Sequence, residues 1–324
     1  MRRREFITLL GSAAAAWPLA ARAQQRERVR RIGVLMPGGE NDLVSALTQA
    51  LADLGWTDGR NMRIDLRWYG DDINRIQRLA QELVGLQPDI IVTSSTPSTV
   101  ALQRETRTIP IVFATVSDPV ANGIVARLDQ PGGNITGFAN LEASLGGKWL
   151  ELVSEIAPGL KRVAIMFNPD TSPASAYMPS LETAARSLKV ETIIAPSHGD
   201  VEIETAIVAL GRERGGGLVV MPDIFTLAHR TPIISAAARN NVPAVYWTSG
   251  FVRDGGLLSY GVDPVDIWRR AATYVDRILR GAKPAELPVQ FPTKFEMAVN
   301  LKTAKALGLT IPPSIWLRAD QVIE

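Results

Sequence analysis

Four short polar clusters are the residues of this chain best placed to do chemistry. They are Ser94-Ser95-Thr96, Ser117-Asp118, Asn168 through Ser172, and Asp223. Each follows an apolar run that reads as a buried strand and precedes a helix-like pattern. Such a segment presents unpaired backbone N–H groups and the positive end of a helix dipole, which hold carboxylates or phosphates. The same residue types also serve as plain N-caps. One cluster alone therefore implies little; four of them on two sheets imply a shared cleft. Asp118 and Asp223 are the acids suited to a ligand ammonium. Phe138, Tyr246 and Tyr260, with Phe113 and Trp247, stand near strand ends where a ring can stack on a ligand. Phe113 reads as core, and Trp247 suits either role.

Catalytic constellations are sparse. The 324 residues contain no cysteine, which excludes disulfides, zinc–thiolate sites and a thiol nucleophile. The only histidines are His198 and His229, too few for a three-histidine metal centre. No G-x-S-x-G elbow, no G-x-x-x-x-G-K-[ST] loop and no G-x-G-x-x-G after the first strand is present. No cofactor, metal ligand set or catalytic residue is therefore assigned.

The elements that must carry the clusters alternate regularly. Strands are predicted at 31–36, 61–68, 89–93 and 111–114, with helices between them. Residues 119–128 read as a further helix, with Asp118 as cap and Pro119 in its first position. This is β-α-β-α-β-α-β with short connections, the pattern of a parallel doubly wound sheet. Such sheets bind ligands at the carboxyl ends of their strands. The second half repeats the grammar: strands at 162–167, 190–195, 217–221, 244–247 and 295–299, helices at 147–156, 202–214, up to 240, 266–279 and 301–307, and a short packed tail from 312. The segment leaving at 135–138 reads as a crossover into a second lobe.

The first 23 residues read as an export leader. Arg2-Arg3-Arg4-Glu5-Phe6-Ile7 is a charged region with a twin-arginine pattern, 9–19 is a short apolar stretch, and Ala21-Arg22-Ala23 is an A-x-A cleavage signal predicting a mature start at Gln24. The apolar stretch is shorter than the roughly 20 residues that a membrane span needs. The whole chain carries 35 basic and 33 acidic residues, net +2. The leader holds four arginines and one glutamate, so the remainder carries 31 and 32, net −1. Its charge gives no nucleic-acid footprint.

Two runs, Ser117-Asp118-Pro119-Val120-Ala121-Asn122-Gly123 and Pro131-Gly132-Gly133-Asn134-Ile135-Thr136-Gly137, resemble a known family. So do Gly255-Gly256-Leu257-Leu258-Ser259-Tyr260-Gly261 and the stretch from Asn300 to Leu309. The resemblance is to the extracytoplasmic substrate-binding proteins of ABC transporters, in the group containing tryptophan/tyrosine-type binding proteins. It implies an α/β protein of type I periplasmic-binding-protein architecture: two doubly wound parallel-sheet lobes, three crossovers, and a cleft that closes on ligand by hinge motion. Mapped here, it implies one lobe of 29–139 plus 255–285 and another of 140–254 plus 286–324. The crossovers then fall near 138–141, 254–259 and 284–289. The segment after the first strand, 37–42, is shorter than in many such proteins.

The resulting expectation is a periplasmic, monomeric receptor for ABC import that partners a small carboxylate-bearing ligand (an amino acid of the aromatic or branched kind, or a related small carboxylate) and an inner-membrane permease, and binds no nucleic acid. Ser94, Ser95, Thr96 and Ser117 hold a ligand carboxylate. Asp118 or Asp223 pairs with an amine. Asn168 and Ser172 contact the ligand from the second lobe, and Phe138, Tyr246 or Tyr260 lies against its apolar part. The rival readings are an exported sensor module and an exported isomerase or hydrolase on the same fold.

Overall fold

The computed structural model describes residues 29–38, 41–70, 72–171 and 174–324. The expected leader, its cleavage site and Ser172 lie outside the described residues.

The first lobe is built by β1 (Arg30–Met36), α1 (Asn41–Asp53), β2 (Met62–Trp68), α2 (Ile73–Gly85), β3 (Ile90–Ser94), α3 (Thr96–Glu105), β4 (Ile111–Val116) and β5 (Ile135–Ala139). Its sheet runs β2-β1-β3-β4-β5, with every pair parallel. β3 and β5 are buried along their whole length, as strands covered on both faces must be. β2 is the edge strand and is only partly covered.

The second lobe holds α4 (Leu145–Ile156), β6 (Arg162–Phe167), α5 (Met178–Leu188), β7 (Glu191–Pro196), α6 (Asp200–Gly211), β8 (Gly216–Val220), α7 (Ile224–Ala228), α8 (Arg230–Arg239), β9 (Ala244–Tyr246), α9 (Ser249–Arg253) and β10 (Leu258–Val262). The chain then returns to the first lobe through α10 (Pro264–Leu279). It ends in the second with β11 (Phe295–Asn300), α11 (Leu301–Ala306), α12 (Pro313–Trp316) and β12 (Gln321–Ile323). The second sheet runs β12-β11-β10-β9-β8-β6-β7. Its β7-β6-β8-β9-β10 portion repeats the order of the first sheet, so the coarse repeat in the sequence is a repeat of topology. β11 is antiparallel to β10, and the expected packed tail contributes β12 as a parallel edge strand.

Two expected lobe boundaries change with sheet membership. Residues 255–262 were assigned to the first lobe, but β10 pairs with β9 and β11 in the second sheet. Residues 286–290 were assigned to the second lobe, but Val289 packs in the first-lobe core and Gln290 bridges to Phe138. The second and third crossovers are therefore at 263 and 291–294. Asp263 and Lys294 tie these two together: the Asp263 amide donates to the Lys294 carbonyl at 3.1 Å, and Lys294 Nζ meets Asp263 Oδ2 at 2.8 Å.

Helix α10 earns its place by shape. Pro264 occupies its first turn, and the Asp263 carboxylate accepts the Val265 and Asp266 amides at 2.9 and 3.1 Å. Its apolar stripe, including Ile267, Trp268, Ala271 and Val275, packs with Leu43, Leu47 and Leu51 of α1 on one face of the first sheet. α2 and α3 cover the other face, where Leu79, Leu83 and Leu102 meet Ile91 and Phe113.

The expected helix over 119–128 is absent; the segment is a chain of turns. Asp118 Oδ1 accepts the Ala121 amide at 3.0 Å and the Asn122 side chain donates to the Asp118 carbonyl at 2.7 Å. Such local side-chain bonds compete with helix formation. Gly123, at φ +64°, then turns the chain out of helical space.

Candidate functional site

A cleft of about 530 Å³ separates the lobes. Its first-lobe wall consists of loops leaving the carboxyl ends of parallel strands. Ser94 ends β3, Ser95 and Thr96 lead into α3, Thr115 stands near the end of β4 with Ser117 just past it, and Asn140 follows β5. The wall is rich in hydroxyls that order one another. Ser94 Oγ and Thr115 Oγ1 are 2.8 Å apart, Ser95 Oγ lies 3.0 Å from Tyr69 OH and 3.1 Å from Ser98 Oγ, and Thr93 Oγ1 bonds Ser98 Oγ at 2.8 Å. Asp42, at the start of α1, also lines the cleft.

Two residues of this wall carry strained backbone. Ser95 has φ 79° and ψ 155°, a region natural only to glycine, and Thr115 has φ 62° despite its branched Cβ. Thr115 is the extra residue of a bulge: Ala114 pairs with Phe138 and Val116 with Ala139, leaving Thr115 unpaired and turned into the cleft. The hydroxyl bonds just described hold both conformations.

The second-lobe wall is charged. Asp223, only 7 % exposed, caps α7. Its Oδ1 accepts from Thr171 Oγ1 at 2.7 Å and from the Phe225 amide at 3.1 Å; its Oδ2 accepts from the Asn168 amide at 3.2 Å. Burial pushes the Asp223 carboxyl above its ordinary value, and those hydrogen bonds offset the push only in part. Further along, Arg253 donates to Ser249 Oγ at 3.0 Å and Ser249 donates to Glu296 at 2.6 Å. Arg230 pairs with Asp254 at 2.5 Å. Trp247, the residue after β9, lines the cleft with its Nε1 3.3 Å from Thr226 Oγ1. Gly261 backs it: a Cβ there would lie 1.8 Å from the Trp247 carbonyl oxygen, so only glycine lets β10 pass this close.

Of the residues expected at the site, Ser94, Ser95, Thr96, Ser117 and Asp223 line the cleft. Others do not. Asp118 stands outside it and organises the turn that replaced its predicted helix. Phe138 is 2 % exposed and tilted on Tyr274 at 4.9 Å in the first-lobe core. Tyr246 is 1 % exposed and stacks on Phe251 at 4.7 Å. Alternation along β9 sends Tyr246 into the core, and the chain turns Trp247 outward just beyond it. Tyr260 stacks on Phe295 and faces an outer groove with Lys148 and Glu151. Asn168 reaches the site only through its amide; its side chain accepts the Asp170 amide at 2.8 Å in a local turn. Thr115 and Asn140 were missed: Thr115 stands two residues before Ser117, and Asn140 belongs to no polar cluster; Thr171 lies within the cluster from Asn168 to Ser172 but was given no role of its own. Glu296 and Gln321 carry no local signal, because the C-terminal strands bring them in from far along the chain.

The comparisons with known proteins agree with this geometry. Residues 34–323 match the family model described as ABC transporter substrate binding protein. A tyrosine-binding protein of Clostridioides difficile (strain R20291) is 29 % identical over 262 residues, covering 81 % of this chain and 75 % of the relative. A conserved domain protein from Vibrio cholerae superposes with a TM-score of 0.82 at 28 % identity, covering 91 % of this chain and 100 % of that structure. An ABC domain in complex with L-Trp from Streptococcus pneumonia superposes with a TM-score of 0.82 at 23 % identity, with the same coverage, and shows the shared two-lobed fold. Strand order, interlobe cleft and a family match spanning nearly all of the described residues converge: the chain belongs to the ABC transporter substrate-binding protein family.

Proposed function

We propose that this protein is the extracytoplasmic receptor of an ABC importer and that its ligand is an aromatic amino acid. The observation that carries the reading is the pairing of two unlike walls across one cleft. The first lobe offers hydroxyls and the start of α3 to a carboxylate; the second offers the buried Asp223 and the Trp247 ring. Ser94, Ser95, Thr96 and Ser117 hold the ligand carboxylate. Asp223 takes the ammonium, which compensates the cost of burying its charge. Trp247 lies along the side chain. The tyrosine-binding relative supports this ligand class. The leader supports export, with the permease as protein partner, and the crossovers at 140–144, 263 and 291–294 serve as the hinge. The protein binds and releases without chemistry of its own.

The test is a thermal-shift screen after partial unfolding and refolding to strip carried-over ligand. At 100 times its dissociation constant, a ligand adds about 2.7 kcal/mol to stability. Tyrosine or tryptophan is expected to raise the Tm by several degrees. A flat response across the amino acids and small carboxylates removes the reading, and turnover of a bound compound replaces it with the enzyme reading.

A further inference from the structure

Beside the cleft lies a recess of about 30 Å³. Thr115, Asn140, Pro222, Trp247, Thr248 and Pro264 line both spaces, so the recess adjoins the cleft. It lies beside the first two crossovers, among residues at or flanking them in 140–149 and 261–264. Its remaining walls include Leu145, Trp149 and Val262. The space exceeds the roughly 10–15 Å³ needed to admit one small polar group.

One side-chain atom of a lining residue is out of balance. Asn140 Oδ1 is buried and has no hydrogen-bond partner among the described residues. The Asn140 backbone is fixed, its amide donating to the Val116 carbonyl at 3.0 Å. Three donors of the surrounding walls have partners elsewhere. Trp149 Nε1 donates to the Tyr260 carbonyl at 2.6 Å, and Trp247 Nε1 lies 3.3 Å from Thr226 Oγ1. Thr115 Oγ1 is shared between the Ala114 carbonyl and Ser94 Oγ. A buried amide oxygen that a bound ligand leaves without a donor bears its desolvation cost. A ligand that brings a donor to this point avoids that cost, whereas an isosteric ligand without one does not.

We propose that this recess is the specificity end of the site. It receives the far edge of an aromatic side chain that carries a hydrogen-bond donor, a phenol O–H or an indole N–H. Asn140 Oδ1 accepts that donor between the apolar surfaces of Trp149 and Trp247. The inference rests on the aromatic amino-acid reading above and adds a discrimination to it: tyrosine or tryptophan over phenylalanine. A site built to bond a ligand donor rejects the analogue lacking it far more strongly than an apolar pocket rejects a missing methylene.

The experiment is calorimetric titration of the stripped protein with L-tyrosine, L-tryptophan and L-phenylalanine, for the natural chain and for Asn140→Leu and Asn140→Asp. The natural chain is expected to bind tyrosine or tryptophan at least tenfold tighter than phenylalanine. Asn140→Leu should weaken the preferred ligand at least tenfold more than phenylalanine, closing the gap. Asn140→Asp keeps an acceptor and should keep the preference, which tests the proposal even if Asn140→Leu does not fold. Equal binding of all three by the natural chain overturns the recess assignment and leaves the receptor reading standing. So does a loss in Asn140→Leu that is uniform across the ligands. Binding of none of the three overturns both.

Discussion

Asp223 caps α7 and, in the proposed reading, takes the ligand ammonium, and separating the two roles requires a careful substitution. It caps α7 and ties Thr171 and Asn168 into one turn, so removing its side chain would disturb the wall as well as the charge. Asn is as good an N-cap as Asp, and Asp223→Asn keeps the cap while deleting the charge. Because a hydrogen bond to a charged group contributes about 1.5–3 kcal/mol, the variant is expected to bind the amino acid roughly ten- to a hundredfold more weakly in calorimetry, with its Tm little changed. The pH dependence has a definite sign. Burial raises the Asp223 carboxyl in the free protein, so its protonated form is favoured as pH falls through that raised value. Ligand affinity in the natural chain should drop over that interval, above the ordinary carboxylate range, and the affinity of Asp223→Asn should stay level. A natural chain whose affinity is flat there would take Asp223 out of ammonium binding.

At the level of elements, the start of α10 is where two of the crossovers between the lobes meet. Burial alone would push the Asp263 carboxyl up, but the Lys294 ammonium and the two capping amides outweigh it and hold it below the ordinary range. Since the carboxyl titrates lower in the folded protein than in the unfolded chain, its stabilisation is present above the unfolded value of about 3.9 and is lost as pH falls through the depressed folded value. Asp263→Asn preserves the cap and loses the ion pair between crossovers. Its Tm at pH 7 should fall by on the order of 2 °C, a shift that thermal denaturation resolves. The difference from the natural chain should vanish in acid below that window. A difference independent of pH would assign the effect to packing instead. The segment between β4 and β5 shows why a local reading of 119–128 as a helix fails. The apolar residues Ile124 and Val125 are buried, as a helix would have buried them. Yet the Asp118 and Asn122 side chains satisfy the backbone locally, and a glycine follows. Periodicity signalled burial; turn chemistry decided the conformation.

For the whole molecule, three crossovers and a cleft between two separately cored lobes permit rigid-body closure. Ligand shifts the population toward the closed form only as far as its affinity differs between the two forms. Small-angle scattering should therefore show a smaller radius of gyration when saturating tyrosine or tryptophan is added, with no change in molecular mass. An unchanged radius alongside calorimetric binding would mean that the lobes are already set in their liganded arrangement.

Much of this molecule is determined by the sequence alone. The buried runs at 90–94 and 111–116, the caps at Asp72 and Asp263, and the strand–cap–helix repeat depend on residues within one or two turns of each other. Local sterics, capping and periodicity act over that range, so the doubly wound lobes and the cleft-lining Ser94, Ser95, Thr96, Ser117 and Asp223 could be read directly. Only the tertiary structure decided the rest. Pairing with β9 and β11, not local pattern, places β10 in the second lobe, and β12 joins the sheet by the same non-local route. The rotation of the chain at the end of β9 chooses between Tyr246 and Trp247 as the ring that faces the cleft. The recess at Asn140 exists because two crossovers far apart in sequence pass side by side, and no window of neighbouring residues contains that contact.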